Sequence, residues 1–582
     1  MSRHDEIILK GKSVSFGIGI GYAQIIKKWS LEDIRNYLKT KRVTEEELSV
    51  AINKTLNELR KIYETIKENK NLAPLVFSHI NLLTSKKFQE ELKNAIDQIK
   101  DAGLALVSVI ERRIRIFLKS DDPAIKARAD DYIDLLNMIF KHLIGAGEKH
   151  ILRDVVLVSD VIFPIDILRQ IDVIRGIVTI GGSAMAHSSI VAKSEKIPMI
   201  IGVKKALDVI KDDDYVIVDA ISGRVIINPS SQVLNDYLKA RENWEREIKA
   251  FLERAKEPAI TYDGEYRVRF LANVGREEDI YSAQEHGAEG IGLFRTEFLY
   301  MKTTHPPTEE ELYRIFRKTV NLFGENPVII RTLDIGSDKV PSYIKLPKEN
   351  NPALGLRGVR LYSDILRELI ESQIRALLKA SIGSNVGIMA PMVADISEAR
   401  EFKKLVLNLK REVEDEIGEE LNVSIGIMLE TPAVVFLADK FAREVDFMSI
   451  GTNDLTQYIL AFDRDCETPL HFVDHAHPAV LRALKEIKDR VKDTPVRISI
   501  CGEIASDIQV LPLLVGLGYD NLSVNAPSIP LLKYIVRNIT LKEAKELVDK
   551  ALEATAASEV REIAMNYYES TGRLSLPSIK LS

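Results

Sequence analysis

Cysteine is almost absent: the 582 residues hold two, Cys466 and Cys501. Two thiols cannot build a disulfide framework or a four-cysteine zinc site, so each is left with packing or chemistry. A basic excess is missing too. With 80 Lys and Arg against 86 Asp and Glu, the net charge of -6 argues against nucleic acid as a partner. No apolar run reaches the length of a membrane span, and the opening MSRHDEIILKGKSVSFG lacks the apolar core of a secretory signal. The expected setting is cytoplasmic, with no membrane insertion. A nucleotide-phosphate loop is excluded as well: Gly11-Lys12-Ser13 ends like one, but Glu6 stands where its leading Gly belongs.

What is present is a globular composition, 46% hydrophobic and 29% charged, in a chain too long for one core; about three or four domains are expected. Residues 1–25 alternate Gly with apolar residues, as a strand or two would. Residues 26–145 change to long helical patterns, beginning with a Thr44 cap and the acidic turn that follows it, and read as an inserted bundle. Short strand candidates return over 146–230 (VVLVSD, IRGIVTI, MIIGV, YVIVDA, RVIINP), so the bundle interrupts one α/β domain. Residues 231–260 are charge-dense with few apolar anchors, the pattern of a helical linker.

Over 261–582, eight short apolar runs recur, each followed by a helical stretch: FLANV, GIGLFRTEF, PVIIRTLDI, VGIMAPMV, IGIMLETP, FMSIGTND, ISICGEI and NLSVNAPS. Eight such units predict a (β/α)8 barrel, whose active site lies at the C-terminal rim of its strands. The polar residues collect there. Arg295 closes the second run, Arg331 opens the turn after the third, and Glu430 and Asn453-Asp454 close the fifth and sixth. Cys501 closes the seventh. Thr431-Pro432 is a helix-start signal immediately after Glu430.

Two carboxylates, Glu430 and Asp454, beside the Asn453 amide suit a hard cation such as Mg²⁺, which often keeps one or two protein carboxylates and leaves room for a phosphorylated substrate. Arg295, Arg331, Arg357 and Arg464 are too many cations for one pocket unless a multiply charged anion fills it. Singly, an Arg is better read as a surface ion pair; several on strand ends beside acidic ligands are not. A small phosphorylated carboxylate fits the set. Cys466 reads as packing, whereas Cys501, at the rim, could give a proton to an enolate. In the earlier α/β domain, the turn Gly181 to Ala186 leads into His187 at the start of a helical pattern, where free N–H groups and Ser hydroxyls would favour a phosphate. Alone, such a His is more often structural.

These residues together resemble the PEP-utilizing enzymes, and among them enzyme I of the phosphoenolpyruvate-dependent sugar phosphotransferase system. The likeness runs through IGLFRTEFLYM, RTLDIGSDK, NPALGLRGVR, IMLETPA, SIGTNDLTQYILAFDR and CGEIASD. It implies an α/β fold made of a C-terminal (β/α)8 TIM barrel and an N-terminal swivelling phosphohistidine domain carrying a helical insertion. It also implies that Glu430 and Asp454 hold Mg²⁺, that Arg295, Arg331, Asn453, Asp454 and Arg464 meet phosphoenolpyruvate, and that Cys501 protonates the enolate. His187 would carry the phosphoryl group to a histidine phosphocarrier protein, HPr, docked on the bundle, in a chain that dimerises through its barrel. One region departs. The family typically reads Gly-Gly-x-Thr-Ser-His; here the run is Gly182-Ser183-Ala184-Met185-Ala186-His187, and Lys193 stands where Arg is usual.

Two readings therefore stay open. One is the enzyme; the other is a non-catalytic, regulatory dimer that binds phosphoenolpyruvate and has a degenerate histidine loop. A third, the dikinase or synthase relatives, needs an ATP-binding region for which the residues before the barrel leave no space.

Overall fold

The computed structural model describes residues 6–67, 73–118, 123–145, 154–181, 187–301, 303, 305–336, 340–341, 343–347, 349–351, 353–363, 365–462, 474–571 and 573. The chain divides into two compact units, Met1–Glu245 with Leu576–Ser582, and Arg246–Ser575.

The first unit is built on eight strands, β1 (Ile7–Lys10), β2 (Lys12–Ser15), β3 (Ile18–Ile25), β4 (Val155–Ser159), β5 (Ile174–Thr179), β6 (Met199–Ile201), β7 (Tyr215–Asp219) and β8 (Arg224–Ile227). Their order is β1-β8-β7-β3-β4-β5-β6-β2. Strands β3 to β6 run parallel, with β3 beside β4 although well over a hundred residues separate them. Parallel neighbours need a crossover. Here it is a bundle of α1 (Leu31–Thr40), α2 (Glu45–Ile66), α3 (Ala73–Thr84), α4 (Lys86–Ile99), α5 (Ala102–Leu118) and α6 (Pro123–Leu143).

Ser30 with Asp33, and Thr44 with Glu47, close capping boxes on α1 and α2, satisfying N–H groups that a helix start leaves open. The apolar face of α2, through Leu48, Leu59 and Ile66, then packs into one cluster with Val155 and Leu157 of β4. The alternate residues Val156 and Val158 fill the opposite face of the sheet. Strand β4 is thus covered on both sides, as its unbroken apolar run requires. α7 (Pro164–Leu168) follows β4, and α8 (His187–Ser194) follows β5.

The helix Ser231–Glu253 is less uniformly polar than its charge suggests: Tyr237 and Ala240 join Ile18, Ile20, Ile217 and Ile226 in a cluster. The anchors are few, but they fall on one stripe.

In the second unit, a short β9 (Ala259–Ile260) pairs antiparallel with β10 (Arg267–Val274). The sheet continues through β11 (Ile291–Arg295), β12 (Val328–Arg331), β13 (Val386–Ala390), β14 (Val423–Leu429), β15 (Phe447–Ile450), β16 (Arg497–Ile500) and β17 (Asn521–Val524). β10 pairs with both β11 and β17, and β10 to β17 are parallel throughout, so eight strands close a barrel. Each of the eight runs read from the sequence is one of these strands. Leu293, Met389, Met428, Phe447 and Cys501 fill its interior. The glycine in IGIML makes room for this core: a Cβ on Gly426 would lie 2.4 Å from Phe447 Cε2. Among the described residues no helix is long and apolar enough to cross a membrane.

Candidate active site

Arg295 and Arg331 are the last residues of β11 and β12 and are register partners on these neighbouring strands. Arg331 therefore closes its strand instead of opening the following turn. Glu430 follows β14 directly, and Cys501 follows β16. Asn453 and Asp454 are placed differently from the sequence reading: β15 ends at Ile450, and both residues lie in the first turn of the helix Thr452–Leu460. Gly502 allows this helix to start beside Cys501, since a Cβ there would fall 1.8 Å from Thr452 Oγ1. Pro432 begins a helix as read, but the Thr431 hydroxyl does not cap it; it donates to the Val393 carbonyl at 3.3 Å.

The two buried arginines are bound into a carboxylate network. Arg331 donates through Nη2 to Glu297 Oε1, and its Nη1 forms an ion pair with Asp334 Oδ2, both at 3.0 Å. Arg357 reaches Asp334 through Nε and Nη2, each at 3.3 Å, and Asp454 Oδ1 through Nη1 at 3.0 Å. Burial works against the charge on both guanidiniums. For Arg331, Glu297 and Asp334 outweigh it; for Arg357, Asp334 and Asp454 do. Both stay cationic at every accessible pH.

Glu430 is fully buried; the Met392 N–H approaches its Oε1 at 3.5 Å, while among the described residues Oε2 has no hydrogen-bond partner. Burial, with the nearby Asp454 and Asp334 charges, pushes its carboxyl up to about 8 despite Arg331 and Arg357. Among the described residues no group of three or more His, Cys, Asp and Glu side chains is placed to hold a metal. Any cation here would rest on Glu430 and Asp454 with further oxygens from elsewhere, the mode Mg²⁺ accepts. An unpartnered buried carboxylate oxygen across from a second carboxylate fits such an ion.

Asn453 Oδ1 accepts the Glu503 N–H at 2.9 Å, which ties the rim of β15 to that of β16. The Cys501 thiol is buried and points at the Ile450 carbonyl at 3.5 Å. Burial pushes it up to about 11, partly countered by a hydrogen bond from Ser449 and by the Arg295 charge. It is a protonated thiol at neutral pH.

The remaining residues belong to the first unit or lie outside the described set. Arg464 and Cys466 fall within 463–473, outside the described residues. In the first unit, α8 begins at His187, while residues 182–186 and the His187 side chain are outside the described set. Ser189 is buried, its hydroxyl 4.0 Å from Met199 Sδ. Sequence reasoning missed Glu297 and Asp334. Both sit within three residues of a strand-end Arg, which is the signal that marks them.

Family models for PEP-utilising enzymes match three segments of the chain: the N-terminal domain over residues 10–128, the mobile domain over 151–223, and the PEP-binding domain over 249–541. The barrel with its charged rim is thus the PEP-binding domain of a PEP-utilising enzyme. The phosphoenolpyruvate-protein phosphotransferase of Haemophilus influenzae is 35% identical over 96% of this chain and 98% of its own length. The protein of the same name from Buchnera aphidicola is 34% identical over 96% and 99%. This chain belongs to the phosphoenolpyruvate-protein phosphotransferase family. A solution structure titled Enzyme I (nEIt) matches at 27% identity and a TM-score of 0.34, over 41% of this chain and 99% of that one, too loosely to bear on the fold.

Proposed function

We propose that the protein transfers the phosphoryl group of phosphoenolpyruvate to His187, releases pyruvate, and passes the group on to HPr, as the first step of the sugar phosphotransferase system. The observation that carries this reading is the Arg331–Arg357 network beside Glu430, whose Oε2 has no hydrogen-bond partner among the described residues. Among the described residues three guanidiniums, of Arg295, Arg331 and Arg357, stand against four acidic side chains, of Glu297, Asp334, Glu430 and Asp454. Such a site has too little positive charge to hold a trianion until a cation joins it. Mg²⁺ on Glu430 and Asp454 supplies that charge when bound.

In this reading Arg295, Arg331, Arg357 and Arg464 bind the phosphate and carboxylate oxygens two at a time. Asn453, with its Oδ1 engaged by Glu503, contributes through its Nδ2–H. The phosphorus–oxygen bond of the enol phosphate breaks with its electron pair left on the enolate, and a nitrogen–phosphorus bond forms at the His187 imidazole. The Cys501 thiol gives its proton to the enolate carbon and is reprotonated from water. The domain division that goes with this function is residues 1–25 with 146–230 for the histidine domain, 26–145 for the HPr-docking bundle, 231–260 for the linker and 261–582 for a barrel that dimerises.

Incubation with phosphoenolpyruvate and Mg²⁺ tests it. Pyruvate release matched by phosphate on the protein, both abolished in His187→Ala, is the expected result; no phosphate on the wild-type protein contradicts it. A second reading, a regulatory dimer that binds phosphoenolpyruvate without turnover, draws support from Met185, which puts a thioether where the family carries a Thr hydroxyl. It predicts metal-dependent binding and no pyruvate.

A further inference from the structure

Asp334 is 5% exposed and holds two guanidiniums at once: it forms an ion pair with Arg331 Nη1 at 3.0 Å and accepts from Arg357 Nε and Nη2 at 3.3 Å. Its backbone is equally constrained. The Asp334 N–H donates to Glu297 Oε1 at 3.1 Å, the same oxygen that receives Arg331 Nη2. One residue earlier, the Leu333 N–H donates to Gln373 Oε1 at 2.9 Å, and the Leu333 carbonyl accepts from the Tyr362 hydroxyl at 2.8 Å. On the following residue, the Ile335 carbonyl accepts the Gly358 N–H at 3.2 Å, next to Arg357 in the chain. The segment 333–335 is therefore fixed by backbone bonds on either side of the carboxylate.

A buried carboxylate in an anion-binding site is costly for that function: it repels the ligand and takes up guanidinium N–H groups. Arginine, however, has a long side chain with many rotamers, and ordering it on binding costs affinity unless it is already held. Held by Asp334 on one edge, each guanidinium keeps its other edge in a fixed direction. This applies most to Arg357, which comes from a loop and not from a strand end.

We infer that Asp334, assisted by Glu297, is a positioning residue of the reaction: it pre-sets Arg331 and Arg357 for the phosphorylated carboxylate without touching it. This rests on the function proposed above. The two physical effects of the carboxylate have opposite signs, which makes the role measurable. If charge alone mattered, neutralising Asp334 would relieve repulsion and tighten phosphoenolpyruvate binding. If Asp334 positions the guanidiniums, neutralising it weakens binding.

The experiment is steady-state pyruvate release with phosphoenolpyruvate, Mg²⁺ and HPr in excess as the phosphoryl acceptor, for wild type, Asp334→Asn, Glu297→Gln, Arg357→Gln and the double variant Asp334→Asn/Arg357→Gln, with thermal midpoints alongside. Asp334→Asn is expected to raise KM on the order of tenfold to a hundredfold with a smaller change in kcat, as lost bonds to charged groups predict. The double variant is expected to be little worse than Arg357→Gln alone, because its two changes remove one unit. A lowered or unchanged KM in Asp334→Asn, or fully additive losses in the double variant, overturns the inference. Should Asp334→Asn not fold, Glu297→Gln carries the test: it leaves the Arg357 bonds in place, and an unchanged KM there overturns the role. A wild-type protein without pyruvate release defeats the proposed function itself, an outcome distinct from these.

Discussion

Arg357 Nη1 lies 3.0 Å from Asp454 Oδ1. A cation suited to an anionic substrate is thereby joined to a carboxylate suited to a metal, and a change at one is felt at the other. Replacing Arg357 by Gln removes an attraction for phosphoenolpyruvate and also removes a positive charge that opposes a divalent cation on Glu430 and Asp454. The two apparent constants are predicted to move in opposite directions: KM for phosphoenolpyruvate rises on the order of tenfold or more, and the Mg²⁺ concentration needed for half activity falls. Titrating each against the other checks this.

The Cys501 thiol is buried and held protonated. Cys501→Ala is predicted to lower the rate of pyruvate formation by about 10² to 10⁴, the usual range for losing a positioned proton donor, with KM little changed. A buried thiol pushed up to about 11 also predicts slow alkylation by iodoacetamide at neutral pH, slower than for an exposed cysteine. Mass analysis after timed labelling measures it.

The eight barrel strands are legible because each is a short apolar run that a parallel, doubly covered strand requires, and because several end on a polar residue or directly before one. The rim residues Arg295, Arg331, Glu430 and Cys501 follow from the same punctuation. Asp454 is harder to place: a strand end and the first turn of a helix after Gly451 look alike in FMSIGTND, and only the backbone separates them. Glu297 and Asp334 were not legible as site residues. Glu297 pairs with an arginine 34 residues away, across neighbouring strands, and no periodicity within one segment reports such a pair. The stripe on the helix Ser231–Glu253 was hidden by the charged residues between Tyr237, Ala240 and Trp244, all three buried.

A second network belongs to stability. Asp507 accepts His475 Nε2 at 3.0 Å and Arg561 Nη1 at 2.9 Å, and Arg561 also binds both oxygens of Asp474 at 2.7 Å. Burial raises the Asp507 carboxyl, but the His475 hydrogen bond and the Arg561 charge outweigh it and hold the group at about 2. A carboxyl depressed in the folded state contributes stability that is present above its unfolded value and lost as pH falls through its folded value. From 3.8 to about 2 that is a contribution of about 2 kcal/mol at neutral pH. Asp507→Asn is predicted to be less stable than wild type at pH 6, with the gap closing as pH falls from about 4 to 2. Denaturant unfolding of both proteins across that range measures the gap.

On the resemblance read from the sequence, Met185 stands where a Thr hydroxyl is typical. Restoring it with Met185→Thr is predicted to speed phosphorylation of His187, on the order of tenfold if one charge-assisted hydrogen bond to the phosphate is regained. Rapid-quench labelling from phosphoenolpyruvate follows the rate. No gain would show that the loop has another way of holding the group.

The central claim is that the charged rim of the barrel takes up a phosphorylated carboxylate together with a divalent cation. Calorimetric titration of phosphoenolpyruvate into the His187→Ala protein tests this most directly, because the site can bind while the proposed acceptor is gone. The account predicts one binding event per chain with Mg²⁺ present, and its loss on chelation or in Glu430→Gln. Absence of heat with Mg²⁺, or equal binding with and without the metal, would contradict it.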